Sequence, residues 1–178
     1  MTVYVDNWRQ DAGTLWALTV HQPWAAAIMW AGKNVENRTW PTKYRGPLLI
    51  HAARKHPKWA DYLIIRRISG IALGWLDTRK TPAATMDLAR FWPRNTGSLG
   101  VILGVVDVVG CHLDAECWHV NDESKVAFCT PWSVRDQYHW EFANPRPFAR
   151  PVPANGRQRL WKVTDPEAVA QVRTQLAA

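Results

Sequence analysis

Between Lys33 and Arg45 the chain sets four cations, Lys33, Arg38, Lys43 and Arg45, beside the flat side chains of Trp40 and Tyr44, with Trp24 a short way before them. Cations of this kind meet phosphates, and aromatic faces carry unpaired bases. Stacking contributes roughly 1–3 kcal/mol per base and tolerates any sequence, whereas phosphate contacts supply affinity that salt weakens. The combination favours single strands, ends or flipped bases. Gln22 and Asn144 carry amides that accept and donate together, as a base edge requires. Each also sits in a turn, where capping of local backbone is an equal alternative.

The same residues allow a second chemistry. Glu36 near Lys33 could serve as a general base toward water, which would make Lys33 and Glu36 the catalytic pair of an enzyme. A histidine-assisted cleavage of RNA would need two imidazoles, or an imidazole and a lysine, at one phosphate; His21 and His51 are the available rings, although a lone histidine in a turn is more often structural. Cys111-His112, Cys117, His119 and Cys129 lack cysteines paired two to four residues apart, so the spacing predicts free, partly buried thiols and neither zinc nor another cofactor. Gly97 to Gly104 lacks the Lys-Ser/Thr ending of a phosphate loop.

These residues need a scaffold. Residues 1–14 show no clear period and read as a loose arm, leaving 15–178 as a single domain. Leu15 to Val20 is a short strand, and Pro23 opens a helix that Gly32 is placed to end. Asn34 to Trp40 alternates, so Glu36, Arg38 and Trp40 share a face opposite Val35, and the pair Glu36–Arg38 either lines a cleft or forms a surface ion pair. Pro47 to Ala52 is the next strand, and Pro57 begins a helix. Residues 76–95 suit a helical insertion, with the helix from Ala83 to Phe91. Leu99 to Gly110, rich in Val and Ile on both faces, is the central strand. Gln137 to Phe142 is a strand broken by Asn144-Pro-Arg-Pro147, Arg159 to Val163 is the last strand, and Asp165-Pro166 caps a terminal helix with Val169, Val172 and Leu176 on one face. Short strands mixed with helices in no βαβ rhythm predict an α+β fold, a small barrel decorated by helices.

Lys and Arg number 22 against 15 Asp and Glu, a formal charge of +7, which favours a polyanionic partner. The excess is segregated: residues 33–58 hold seven basic residues against Glu36 alone, and 146–162 hold five against none. The longest apolar run, Gly100 to Cys111, is too short to span a bilayer and no signal segment stands at the N-terminus, so a cytoplasmic protein without a membrane partner is expected.

Three segments together, Leu18-Thr-Val-His-Gln-Pro-Trp-Ala25, Ala31-Gly-Lys-Asn-Val-Glu-Asn-Arg-Thr-Trp40 and Tyr44-Arg-Gly-Pro-Leu-Leu-Ile-His-Ala-Ala53, resemble the ASC-1-homology (ASCH) domain. Gly100-Val-Ile-Leu-Gly-Val-Val-Asp107, Trp140-Glu-Phe-Ala-Asn-Pro-Arg-Pro147 and Pro151-Val-Pro-Ala-Asn-Gly156 to Leu160-Trp161 extend the likeness over about residues 15 to 163. The resemblance implies a PUA-like β-barrel of about five to six strands, a cleft beside the first helix, and RNA or single-stranded DNA as partner, with a modified base or nucleoside among the candidate ligands. Some small members of the family deacylate a modified cytidine, using a lysine, a threonine three residues later and an arginine five residues later; Lys33 and Arg38 match, and Glu36 takes the threonine's place. The leading reading is a nucleic-acid-binding module, the second a hydrolase of a modified nucleoside or RNA, the third a protein-interaction module.

Overall fold

The computed structural model describes residues 13–55, 98–117 and 129–177. The elements are β1 (Trp16–Val20), α1 (Trp24–Trp30), β2 (Val35–Arg38), β3 (Gly46–Ala52), β4 (Val101–Leu113), a 3-10 turn (Asp114–Cys117), β5 (Tyr138–Pro153), β6 (Leu160–Lys162) and α2 (Pro166–Ala177). The strands form one six-stranded sheet in the order β2-β5-β4-β3-β1-β6, curled into a half-barrel. Among the described strands only the β1–β3 pair is parallel. The fold is therefore the small barrel-like α+β arrangement that the mixture of short strands and helices predicts.

Alternation along the strands explains why both sheet faces are covered. Leu18, Val20, Leu48 and Ile50 face α1 together with Leu103, Val106 and Trp140, and α1 buries Ala25 through Met29 against them. Ala17, Leu49, Ile102, Val105 and Val152 point the other way and meet Ala168 and Val172 of α2. β4 is apolar on both faces because it lies inside the sheet, between β3 and β5.

Helix punctuation follows the residue types. Gly32, just past α1, adopts φ 69°, and the Asp165 carboxylate accepts a hydrogen bond from the Ala168 N–H at 2.8 Å to cap α2. The buried stripe of α2 is Ala168 with Val172, an i, i+4 pair, while Leu176 is 43% exposed rather than part of it.

Asn144-Pro-Arg-Pro147 does not break β5. The strand runs 16 residues through it, and its ladder with the 13-residue β4 changes register three times. Bulges absorb the prolines, whose missing N–H groups bar them from a regular ladder, and bend both strands into the half-barrel. Asn144 takes φ 49° there, and Gly104 lies opposite Pro147, where an added Cβ would come within 2.8 Å of the Pro147 Cα. Most of the N-terminal arm, the helices expected from Pro57 and at Ala83 to Phe91, the 76–95 insertion and His119 lie outside the described residues.

Candidate functional site

The ends of β1, β2 and β3 and the segment before β6 enclose a cleft of about 700 Å³. Arg38, Arg54, Arg157 and Arg159 line it with Trp40, His21 and His51, and among the described residues no carboxylate does. Low-dielectric walls carrying charge of one sign concentrate an anion at such a site. The Arg159 guanidinium carbon stands 5.5 Å from the Trp40 ring centroid, and the Trp40 ring meets Trp140 edge-on at 4.5 Å. Trp140 is fully buried and donates its indole N–H to the Trp40 carbonyl at 3.1 Å, so the core holds Trp40 in place.

Arg38 reaches this cleft through a buried ionic chain. Lys33, 3% exposed, donates from Nζ to Glu36 Oε2 at 3.0 Å and to the Val35 carbonyl. Arg38 donates to Glu36 Oε1 at 3.1 Å and to the Thr19 carbonyl at 2.8 Å. Burial lowers the pKa of Lys33, with Arg38 adding slightly in the same direction and Glu36 opposing both. Strand alternation places Glu36 on a surface or cleft face; in the structure Val35 and Glu36 are both buried, because the turn after α1 folds Lys33 over the second face of β2. Lys33 and Glu36 do not line the cleft, and both Glu36 oxygens already accept from cations. Arg38 Nε, buried, has no hydrogen-bond partner among the described residues.

His51 forms part of the floor and is 1% exposed. Its Nε2 lies 3.1 Å from the Ala154 carbonyl, which can only accept, so Nε2 carries the proton and Nδ1 presents a lone pair. Nδ1 is buried without a hydrogen-bond partner among the described residues. A Cβ on Gly156 would sit 2.5 Å from it, so only glycine lets the backbone pass there. Burial, and more weakly the Arg54 charge, hold the His51 pKa below the ordinary 6.5 against the Ala154 hydrogen bond. The unfolded chain therefore binds this proton more readily, and the stability due to neutral His51 is complete above about pH 6.5 and lost as pH falls below it. Melts across the acid range should show a steeper fall for the parent than for His51→Gln, by up to about 1.4 kcal/mol per pH unit. Parallel acid limbs would refute this.

The other residues singled out in the sequence scatter. Gln22 is buried; its Oε1 accepts from the Ala26 N–H at 3.1 Å and its Nε2 donates to the Ser98 carbonyl at 3.2 Å. Trp24 is half-buried between two core clusters. Tyr44 donates to the Pro47 carbonyl, and burial, then the Asp107 charge, push its phenol up to about 12. Arg45 holds its own turn through the Thr42 and Tyr44 carbonyls, at 3.3 and 2.8 Å, and Lys43 is exposed. Asn144 donates to Asp107 at 2.9 Å. Of the ten binding candidates, Arg38 and Trp40 line the cleft. Sequence reasoning missed Arg54, Arg157 and Arg159 as site residues, although the acid-free charge run of 146–162 was the signal for the last two.

At another edge of the sheet, ligand-capable atoms of His112, Cys117, Cys129 and His139 lie within 4.8 Å of one another. The expectation of free thiols without zinc rests on cysteine spacing along the chain, which does not reveal this cluster: His112 and His139 are cross-strand partners, and His139 lies 22 residues from Cys117. None of the four lines the arginine cleft.

The family model of the ASCH domain matches residues 18–152. Activating signal cointegrator 1 of Homo sapiens is 25% identical over 152 residues, covering 83% of the chain and 22% of that protein. The Mus musculus protein of the same name is 24% identical with the same coverage. The chain thus spans 22% of the length of these curated relatives.

Proposed function

Because this chain belongs to the ASCH domain family, we propose that it binds single-stranded RNA or DNA, taking an unstacked base, a modified one included, into the arginine-lined cleft. The observation that carries this reading is a cleft that, among the described residues, has four arginines, an anchored tryptophan face and no lining carboxylate. Its volume of about 700 Å³ falls in the range of about 300–1,000 Å³ usual for small-ligand sites. Exposed Arg157 and Arg159 are suited to phosphates. Trp40 offers the stacking surface, and His51 Nδ1 and Arg38 Nε, without hydrogen-bond partners among the described residues, supply an acceptor and a donor in the surrounding wall.

The hydrolase alternative centres on Lys33 and Glu36. Their burial outside the cleft and the saturation of Glu36 by Lys33 and Arg38 favour a supporting role, in which the pair holds Arg38 at the rim. No helix among the described residues is long and apolar enough to cross a membrane.

Titration of short RNA and DNA strands at several salt concentrations tests the proposal. Log affinity should fall with log salt by about 0.7 for each phosphate neutralised, so two to four arginine contacts give slopes near −1.4 to −2.8. Mass spectrometry of the same mixtures, with modified nucleosides added, reads turnover separately. Absence of binding to both polymers at low salt would remove the reading, and a mass change would establish the hydrolase instead.

A further inference from the structure

We propose that His112, Cys117, Cys129 and His139 form a closed structural zinc site. The four potential ligand atoms, His112 Nε2, Cys117 Sγ, Cys129 Sγ and His139 Nδ1, lie within 4.8 Å of one another. Cys117 Sγ is 2.9 Å from His112 Nε2 and 3.0 Å from His139 Nδ1, and Cys129 Sγ is 3.4 Å from the same His139 nitrogen. Four atoms so gathered, two sulfurs and two imidazole nitrogens, are the donor set of tetrahedral zinc, needing only a small outward adjustment to reach metal-bond lengths of about 2.0–2.3 Å.

What distinguishes the cluster from adjacent thiols is the orientation of its rings. His112 Nδ1 lies 2.6 Å from Glu141 Oε1, and His139 Nε2 lies 2.9 Å from the Val134 carbonyl. Each outer partner accepts a hydrogen bond from the ring N–H, which fixes the tautomer and leaves a lone pair on the inner nitrogen of both rings. A carboxylate or carbonyl behind each ligating histidine is the usual outer arrangement of a zinc centre. Gly110 makes room for it, since an added Cβ would lie 2.6 Å from the Glu141 carboxyl carbon. On binding, the two thiols release their protons to solvent, and the resulting thiolates balance the charge of Zn²⁺. Four protein ligands leave no open position, so the metal's role is structural.

The elements that supply the ligands indicate what the metal would hold. His112 and His139 face each other across β4 and β5, Cys117 ends the 3-10 turn after β4, and Cys129 precedes the turn of Thr130 to Val134. That turn is tied to β2 by Asn37, which donates to the Trp132 carbonyl at 2.9 Å and accepts from the Val134 N–H at 3.0 Å. Zinc would join the far end of the β4–β5 ladder to the strand that carries Arg38.

Protein purified under reducing conditions without added metal should contain one zinc per chain by elemental analysis. Cys117→Ser and Cys129→Ser should lose it, while Cys111→Ser, which alters the remaining cysteine of the chain, should keep it. Glu141→Gln should weaken metal affinity about 10–100-fold. Should the cysteine variants fail to fold, Co²⁺ added to chelator-stripped parent protein decides: strong visible absorption of tetrahedral cobalt, with thiolate charge transfer in the near ultraviolet, is expected. A parent that is zinc-free and gives no such spectrum, or zinc retained after both cysteines are replaced together, would overturn the proposal.

Discussion

Glu36→Ala is expected to destabilise the protein by about 3–5 kcal/mol, the cost of leaving one half of a buried ion pair without its partner. Glu36 is 8% exposed and Lys33 3%, and the carboxylate bonds both Lys33 and Arg38. Without it, Lys33 keeps the Val35 carbonyl and Arg38 keeps the Thr19 carbonyl, but no opposing charge among the described residues compensates them. In a domain of this size such a loss lowers Tm by on the order of 10 °C. The deficit should shrink as pH is raised. Lys33 has a folded-state pKa below its unfolded value of 10.5, so the unfolded chain holds more protons and stability rises with pH up to about 10.5. Removing Glu36, which opposes that lowering, makes the rise steeper. Replacing the pair together, Lys33→Met with Glu36→Gln, should recover much of the loss, because the buried ammonium is then gone. Thermal melts of the parent and the two variants measure this; a Glu36→Ala melt within a degree or two of the parent would show the chain of charges to be dispensable.

The second large effect concerns binding. Arg157→Gln combined with Arg159→Gln should weaken single-stranded RNA or DNA binding about 100-fold at low salt, about tenfold for each charged contact removed. The salt slope should become shallower by about 1.4, two phosphates at about 0.7 each. Both side chains are exposed, so folding stability should stay within about 0.5 kcal/mol of the parent. That separation makes this pair more informative than Arg38, whose bonds to Glu36 and the Thr19 carbonyl mix binding with stability. Unchanged affinity and slope in fluorescence titrations would move the ligand away from this cleft.

Features governed by local rules were legible in the sequence. The helix opened by Pro23 and closed by Gly32, the Asp165 cap, and β4 with Val and Ile on both faces each depend on neighbours a few residues away. What escaped depends on partners distant in sequence. Alternation gave β2 one polar face, but the path of Lys33 buries Glu36 on it. The prolines of β5 looked like an end because the bulges that accommodate them exist only in the pairing with β4. His139 meets His112 by register, across 27 residues of chain that no spacing rule for cysteine pairs surveys. The arginines of 146–162 were visible as charge, yet their place beside Trp40 is set by the run of chain into β6.

The pairing of β6 with β1 brings Leu160 to Lys162 alongside Trp16 to Leu18, so the cleft draws its walls from opposite ends of the described chain. During synthesis, a ribosome-bound chain that has emerged only as far as β5 carries Arg38, Trp40 and His51 but not the segment from Asn155 to Arg159 that closes over them. Contacts so remote in sequence carry a large loop-closure entropy and form late in folding. If the cleft takes an oligonucleotide as proposed, the capacity to capture it would then be acquired in one step once β6 has emerged, and chains ending before β6 would not compete for the ligand.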